Sequence, residues 1–335
     1  MKNTNKFIVI TSIFQPSEAV KKFALLHDWQ LVVVGDKKTP ADWQCDNVVY
    51  LGPEDQEKLG FEITKVLPWN HYCRKMVGYL YSISQGAEAI FDTDDDNIPK
   101  PNWPAMPEGK SLKALSGEKF VNIYKYFTDE PVWPRGFPLD RILSDAKPNE
   151  SQAIASERIG VWQFLADEDP DVDAIYRLTN DKPIYFKDNE PLALAKNTVC
   201  PFNSQNTAFI KEMFPLLYLP AFVTFRFTDI LRGLVAQPLM WQHDFQLGFG
   251  PATVVQKRNP HDYMKDFESE IPVYVNAEKV IDIVVKSLDG PATDILDRLS
   301  VAYSRLRESD IVGDDEIKLL EAWTEDIKTL HTHSS

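Results

Sequence analysis

The chain has 335 residues, of which 44% are hydrophobic, and a formal net charge of −14. This hydrophobic fraction supports a buried core and excludes a disordered chain. The negative charge disfavours nonspecific binding to nucleic acid or to an anionic membrane surface. No apolar run reaches the roughly 20 residues of a membrane-spanning helix, and the run at residues 7–10 is too short for a secretory signal. We expect a soluble, cytoplasmic protein, although a piece of a membrane-anchored protein would have the same composition.

Strand and helix signals alternate along the first hundred residues. The short apolar runs KFIVITSIF, LVVVGD, NVVYLG and AEAIFD predict buried strands. The segments SEAVKKFALLHDW and NHYCRKMVGYLYSISQG predict helices, with Ser17 as an N-cap of the first and Gly86 as the end of the second. Strand–helix–strand order at this spacing predicts an α/β fold, with a mostly parallel, Rossmann-type sheet flanked by helices.

The remainder of the chain has weaker signals until its last third. The stretch from Pro99 to Pro201 is rich in proline and tryptophan, which favours long loops with short strands. The segment TDILRGLVAQPLMW predicts a helix that ends near Pro238. From Asn276 onward, ATDILDRLSVAYSRLRE and DEIKLLEAWTEDIKTL predict an extension of amphipathic helices. We expect these helices to pack on the fold or to form a homo-oligomer.

Polar side chains follow the ends of the predicted parallel strands. Ligands of such sheets bind beyond the carboxyl ends of the strands. The expected binding residues at this edge are Thr11, Ser12 and Ile13 after the first strand and Asp36 after the second. A cluster of aspartates follows the fourth.

That cluster consists of Asp92, Asp94, Asp95 and Asp96 within five residues. It fits a solvated acidic turn, a Ca²⁺ loop, or a site where Mg²⁺ or Mn²⁺ holds a diphosphate. The Ca²⁺ loop fits poorly because Asn97 occupies the position that requires glycine. The buried strand before the cluster favours the metal–diphosphate reading over a flexible turn.

Three further features each have a structural and a functional reading. Arg74 and Lys75 form a solvated helix face or neutralise a diphosphate. Asp229, at a predicted helix start, caps that helix or removes a proton from an acceptor hydroxyl. His261 is an exposed loop residue or an additional metal ligand.

The parallel sheet, the aspartate after the second strand and a D-x-D motif after the fourth together resemble the pattern of GT-A type glycosyltransferases. The D-x-D motif is Asp92-Thr93-Asp94. The longer blocks VVVGDKKTPADW, LPWNHYCRKMVGYLYSISQGAEAIFDTDDDN, PFNSQNTAF and TDILRGLVAQPLMW resemble the STELLO family of glycosyltransferase-like proteins, known from plant Golgi membranes. The resemblance covers roughly residues 5–260 and is poor between Asn102 and Pro191.

The resemblance implies a GT-A-like domain over residues 1–270, with its nucleotide-binding half at about 1–100, and a helical extension at 276–335. It implies a metal-dependent glycosyltransferase that moves a sugar from a nucleoside diphosphate to a glycan or other hydroxyl acceptor, with inversion. The expected donor is a UDP-sugar, and the expected cofactor is Mn²⁺ or Mg²⁺.

The resemblance also implies a role for each candidate residue. The nucleotide and donor would be bound by Thr11, Ser12, Ile13, Asp36, Arg74, Lys75 and Asp92. The metal would be held by Asp94, Asp95, Asp96 and His261. Asp229 matches the position of a catalytic aspartate or glutamate near the acceptor, and this carboxylate would act as the general base.

Two rival hypotheses keep the same fold. One is a nucleotide-sugar mutase or hydrolase, as in the reversibly glycosylated plant polypeptides, whose D-D-D motif looks similar. The other is a catalytically silent scaffold, with the C-terminal helices and exposed tryptophans as its binding surface.

Overall fold

A single mixed sheet forms the centre of the protein. The structure is a computed structural model that describes residues 2, 4–103, 106–144, 148–180, 182–257, 262–290 and 294–333. The strands are β1 (Lys6–Thr11), β2 (Gln30–Val34), β3 (Val48–Leu51), β4 (Ala89–Thr93), β5 (Asn97–Pro99), β6 (Ser111–Ser116), β7 (Asn149–Ala155), β8 (Ile159–Asp167), β9 (Leu192–Leu194), β10 (Asn206–Ile210) and β11 (Gln246–Gln256).

Helices cover this sheet. The α-helices are α1 (Glu18–Ala24), α2 (Pro53–Lys58), α3 (Ile63–Val66), α4 (Lys75–Ser84), α5 (Tyr124–Phe127), α6 (Ala174–Thr179), α7 (Thr228–Gln242), α8 (Tyr263–Ser287), α9 (Ile295–Glu308) and α10 (Asp314–His333). Short 3₁₀ helices lie at Tyr72–Arg74, Leu139–Arg141, Ser156–Arg158 and Lys211–Leu217.

The strands run in the order β3-β2-β1-β4-β10-β8-β11-β9-β6-β7, and β5 pairs with β11 beside this path. The first four are parallel, as predicted. β10 is antiparallel to both β4 and β8, and β11 is parallel to β8. The α/β class is therefore confirmed, and the sheet becomes mixed beyond its parallel first part.

The predicted helix ends are observed in that first part. The Ser17 hydroxyl accepts a hydrogen bond from the Val20 backbone N–H at 3.1 Å and caps α1. Gly86 follows α4 with a φ of +82°, a conformation that a side chain disfavours.

The prediction was wrong about the middle of the chain. β8 is nine residues long, buried throughout, and paired on both edges in the centre of the sheet. The surrounding proline-rich sequence hid this strand, because its burial on both faces removes the polar alternation that marks a surface strand.

The predicted end of α7 near Pro238 was also wrong, because the helix continues to Gln242. All residues from Thr228 to Trp241 are buried, so packing outweighs the roughly 3 kcal/mol that an interior proline costs a helix. Gly233 lets this helix lie against the chain at Phe202, since an added Cβ would meet the Phe202 carbonyl oxygen at 2.4 Å.

The three C-terminal helices pack on the rest of the fold. α8 contacts α7, and α10 contacts α3 and α4. The Asp326 carboxylate of α10 accepts hydrogen bonds from the backbone N–H groups of Glu62 and Ile63 at 2.8 and 2.9 Å. Self-association through these helices and the proposed division of the chain at 270–276 stay predictions.

Two further observations concern the surface. Seven of the eight tryptophans are buried, which contradicts the expected tryptophan-rich binding surface of a scaffold. Within the described ranges, no helix has the length and apolar character that crossing a membrane requires.

Glu316 of α10 makes stability depend on pH. Its carboxyl pairs with the Tyr218 hydroxyl and accepts from the Phe222 N–H at 2.8 Å, and burial raises its pKa to about 7. This lies above the ordinary value of 4.5, so the native protein keeps a proton that the unfolded chain releases. The free energy of unfolding should fall between about pH 4.5 and 7, by up to about 3 kcal/mol from this group.

Glu316→Gln carries no such proton. We expect it to match wild type near pH 4.5 and to be more stable by about 3 kcal/mol at pH 8, measured by urea unfolding. The exposed neighbour Asp315 gives the control: Asp315→Asn should keep the wild-type dependence of the free energy of unfolding on pH. An equal loss of stability at both pH values would show that Glu316 is ionised in the native state.

Candidate functional site

The topology brings several strand ends to one edge of the sheet. β1, β2, β4, β8 and β11 end there, and the antiparallel β10 begins there. A cavity of about 360 Å³ lies at this edge. Its walls also include the start of α7 and the segment before α4.

Nine of the twelve predicted site residues line this cavity. They are Thr11, Ser12, Ile13, Asp36, Arg74, Asp94, Asp95, Asp96 and Asp229. Lys75 and Asp92 do not belong to this lining, and His261 falls outside the described residues. The ligand-binding role of each residue stays a prediction.

Asp92 and Lys75 form a charge cluster beneath the cavity. Asp92 is completely buried, and its two oxygens lie 2.9 Å from the Lys75 ammonium and 2.8 Å from the Arg232 guanidinium. Lys75 also lies 2.9 Å from Asp94 Oδ1 and donates to the Thr93 carbonyl oxygen at 2.8 Å. Lys75 therefore neutralises Asp92 and Asp94 of its own chain, and its predicted contact with a diphosphate stays a prediction.

Burial alone would lower the pKa of the Lys75 ammonium. The Asp92 and Asp94 carboxylates outweigh that effect, so the pKa is raised and the ammonium stays charged. The like-charged aspartates thus have permanent counter-ions on the protein side of the cluster.

The three aspartates after β4 form an ordered turn above these ions. Asp95 accepts a hydrogen bond from the Ser12 hydroxyl, and Asp96 accepts from the Gln256 amide at 3.2 and 3.3 Å. The Asp94 side chain is 38% exposed. Burial raises its pKa to about 7; Lys75 opposes this shift, whereas Asp96 and Asp92 add to it.

The carboxylate oxygens of this turn suit a hard divalent cation such as Mg²⁺ or Mn²⁺, because these ions prefer oxygen ligands. Within the described part of the chain, no three His, Cys, Asp or Glu side chains converge into a complete metal site. The fit is therefore to a cation that takes one or two ligands from Asp94 and Asp96 and the rest from phosphate and water.

Arg74 reaches the cavity from the segment before α4. Its Nε donates to Gln56 Oε1 at 2.6 Å, its Nη1 donates to the Leu67 carbonyl at 3.1 Å, and its guanidinium lies 3.5 Å from the Trp69 ring centroid. Its Nη2 is buried and has no hydrogen-bond partner among the residues that the structure describes. Such an atom is costly unless a ligand pairs with it.

Asp36 lies on the same side of the cavity. It accepts hydrogen bonds from the Lys37 and His71 backbone N–H groups at 2.6 and 3.2 Å. These bonds tie the end of β2 to the segment that carries Arg74.

The opposite side of the cavity contains a buried ion network around Arg135. The Arg135 guanidinium makes two bonds to Asp171, at 2.8 and 2.7 Å, and lies 3.0 Å from each oxygen of Asp229. Asp229 also accepts from the Ser204 and Ile230 N–H groups at 3.2 and 3.1 Å. Its position is fixed by four hydrogen bonds.

Sequence reasoning missed much of the cavity lining. The missed lining residues include Phe14, His71, Tyr72, Arg135, Asp171, Ser204, Gln205, Phe225, Arg226 and Gln256. Asp171 follows the unrecognised β8, so its place at the sheet edge could not be derived. Phe225 and Arg226 stand four and three residues before Asp229, and their proximity to that candidate was the available signal.

A family model described as STELLO glycosyltransferases matches residues 226–334. Two Arabidopsis thaliana proteins match 97% of this chain: Probable glycosyltransferase STELLO2 at 27% identity and Probable glycosyltransferase STELLO1 at 26%. The chain resembles the STELLO glycosyltransferases. The predicted resemblance is thus confirmed, and it extends over the C-terminal helices.

This STELLO-like chain spans less than half the length of those relatives, 45% and 44% respectively. Among solved structures, glucosyl-3-phosphoglycerate synthase of M. tuberculosis matches with a TM-score of 0.37 and 10% identity, over 82% of this chain and 80% of that one. A likeness at this score supports no inference about function.

The ion cluster below the site predicts a large effect of Lys75→Met. The change leaves Asp92 and Asp94 without a shared cation, and breaking a buried ion pair costs about 3–5 kcal/mol. Urea unfolding measures this loss. Lys58→Met breaks an exposed pair with Glu54 and should cost less than about 1 kcal/mol. A small effect of both changes would contradict the buried pairing.

Proposed function

We propose that this STELLO-like chain is a metal-dependent glycosyltransferase of the GT-A type. It transfers a sugar from a nucleoside diphosphate donor, with UDP as the nucleotide, to a hydroxyl group of a glycan or other acceptor. The reaction inverts the anomeric configuration. The resemblance to the STELLO glycosyltransferases suggests this class of reaction, and the donor, the metal and the inversion are proposed for this chain.

One observation carries the proposal. A single cavity holds an ordered turn of three carboxylates and a buried guanidinium with an unpaired N–H. Both features suit a diphosphate, because a bridging cation and a fixed guanidinium can together offset its negative charge. A solvated acidic turn would require neither the cavity nor Arg74.

The donor would lie along the parallel strand ends. Thr11, Ser12, Ile13 and Asp36 would contact the nucleoside, and Arg74 would donate to a phosphate oxygen. Asp94 and Asp96 would hold Mn²⁺ or Mg²⁺. The cation would supply electrostatic stabilisation of the leaving diphosphate. Asp92 would act from below, by keeping Lys75 and Arg232 in place.

Asp229 would be the base that receives the acceptor proton. A carboxylate offers about four hydrogen-bonding positions, and Asp229 uses them on Arg135, Ser204 and Ile230. The acceptor hydroxyl must therefore replace one of these bonds. Arg135 has a second carboxylate partner in Asp171, so its bond to Asp229 is the one that can be exchanged.

Nucleotide binding tests the donor site. At about 100 times its Kd, UDP with Mn²⁺ should stabilise the protein by about 2.7 kcal/mol, a rise of roughly 4 °C in Tm. Thermal shift measures this. Asp94→Asn should abolish the shift, whereas Asp28→Asn, an exposed change outside the cavity, should keep it.

A panel of nucleotides that produces no shift, with or without Mn²⁺, would contradict the proposal and favour a silent scaffold. A shift accompanied by turnover of nucleotide sugar without any acceptor would favour a mutase or hydrolase.

The anomeric configuration of the product tests Asp229. Proton NMR of the product should show the configuration opposite to that of the donor. Asp229→Asn should lower kcat by about 10²- to 10⁴-fold with the Kd of UDP within threefold of wild type. Azide is a nucleophile that needs no base. Added in place of the acceptor, it should restore turnover of the Asp229→Asn variant, with glycosyl azide as the product. A product with the same anomeric configuration as the donor would exclude Asp229 as the general base.

A further inference from the structure

An exposed aromatic ring stands at the wall of the cavity. The Phe225 side chain is 55% exposed and lines the cavity beside Tyr72 and His71. Its ring packs edge-on against Tyr72, with centroids 4.8 Å apart at 69°, and against His71 at 5.9 Å and 63°. About half of the residue thus lacks the stabilisation that burial gives to an apolar ring.

The chain segment that carries this ring is fixed from below by α8. The Thr224 hydroxyl donates to the Ser269 carbonyl at 2.7 Å, and the Arg226 N–H donates to the Ser269 hydroxyl at 3.3 Å. The Arg226 Nε donates to Glu270 Oε1 at 2.8 Å. Phe225 is thus held between two anchored residues, so its exposure is built into the fold.

Charged groups line the same cavity as the ring. Arg226, Asp229 and Asp171 line the cavity with it, and all three are more than nine-tenths buried. Glu270 is completely buried and fixes the Arg226 guanidinium. The wall therefore combines one apolar ring with a rim of fixed donors and acceptors.

From this combination we infer that Phe225 is the platform for a hexopyranose ring of the substrate. A pyranose has an apolar face of C–H groups and a rim of hydroxyls. A hydroxyl both donates and accepts, so it can pair with a carboxylate and with a guanidinium at once. The inference rests on the proposed function and specifies a sugar as the group bound on this side of the cavity.

A nucleobase is the other flat group that could cover the ring. A uracil base carries fewer hydrogen-bonding groups than a hexopyranose, so it could exchange fewer of the hydrogen bonds that Arg226, Asp229 and Asp171 make. The rim thus favours the sugar, and the base is an outcome of the test.

The experiment uses the full chain with Mn²⁺ and UDP, and a panel of methyl hexopyranosides as probes. Saturation-transfer NMR should detect at least one of these sugars, with saturation concentrated on the C–H protons of one ring face. Phe225→Ala should raise the Kd of that sugar about tenfold and leave the Kd of UDP within twofold of wild type.

Phe222→Ala is the matched control. Phe222 is 41% exposed, lies three residues earlier, and is absent from the cavity lining, so this change should leave sugar binding unaltered. The Tm of both variants checks that the fold is retained.

Three results would overturn the inference. The first is that the wild-type protein transfers saturation to none of the sugars. The second is an equal loss of sugar affinity in Phe222→Ala and Phe225→Ala. The third is that Phe225→Ala lowers the affinity for UDP itself about tenfold. The last result would assign the ring to the nucleobase. UDP binding without sugar binding would refute this inference alone, whereas sugar binding without any nucleotide binding would refute the proposed donor site alone.

Discussion

The contact of Asp92 with two buried cations organises this protein. Lys75 comes from α4, Arg232 from α7, and Asp92 from the central strand β4. Removing such charges from water is costly unless each is paired, so the three elements can pack only in the arrangement that pairs them. The same ammonium reaches Asp94, and it thereby links the core of the fold to the turn at the cavity.

The first of the C-terminal helices, α8, supports the site as well as the packing. Glu270 of α8 holds Arg226, and Arg226 stands in the cavity wall next to the network of Arg135, Asp171 and Asp229. The family match begins at residue 226 and covers these helices. A wall supported in this way gives its side chains little freedom, which favours recognition by fixed groups.

Much of the fold could be predicted because its signals are local. Four short apolar runs with intervening helices predict the parallel half, and Gly86 and Ser17 mark helix ends by conformation and capping. The predictions for β8 and α7 were wrong for the opposite reason. β8 is buried on both faces and α7 contains Pro238, so burial by distant segments outweighs what their own residues indicate.

The sequence by itself determined the α/β class, the strand ends that carry Thr11, Asp36 and the aspartates, and the resemblance to the STELLO family. Only the tertiary structure separated Asp92 from the three aspartates that follow it, since one lies in a strand between two cations and the others lie in a turn at the cavity. It alone brought Arg135, Asp171 and Phe225 to the site. Their contacts join residues far apart in the chain, and no local pattern records such distances.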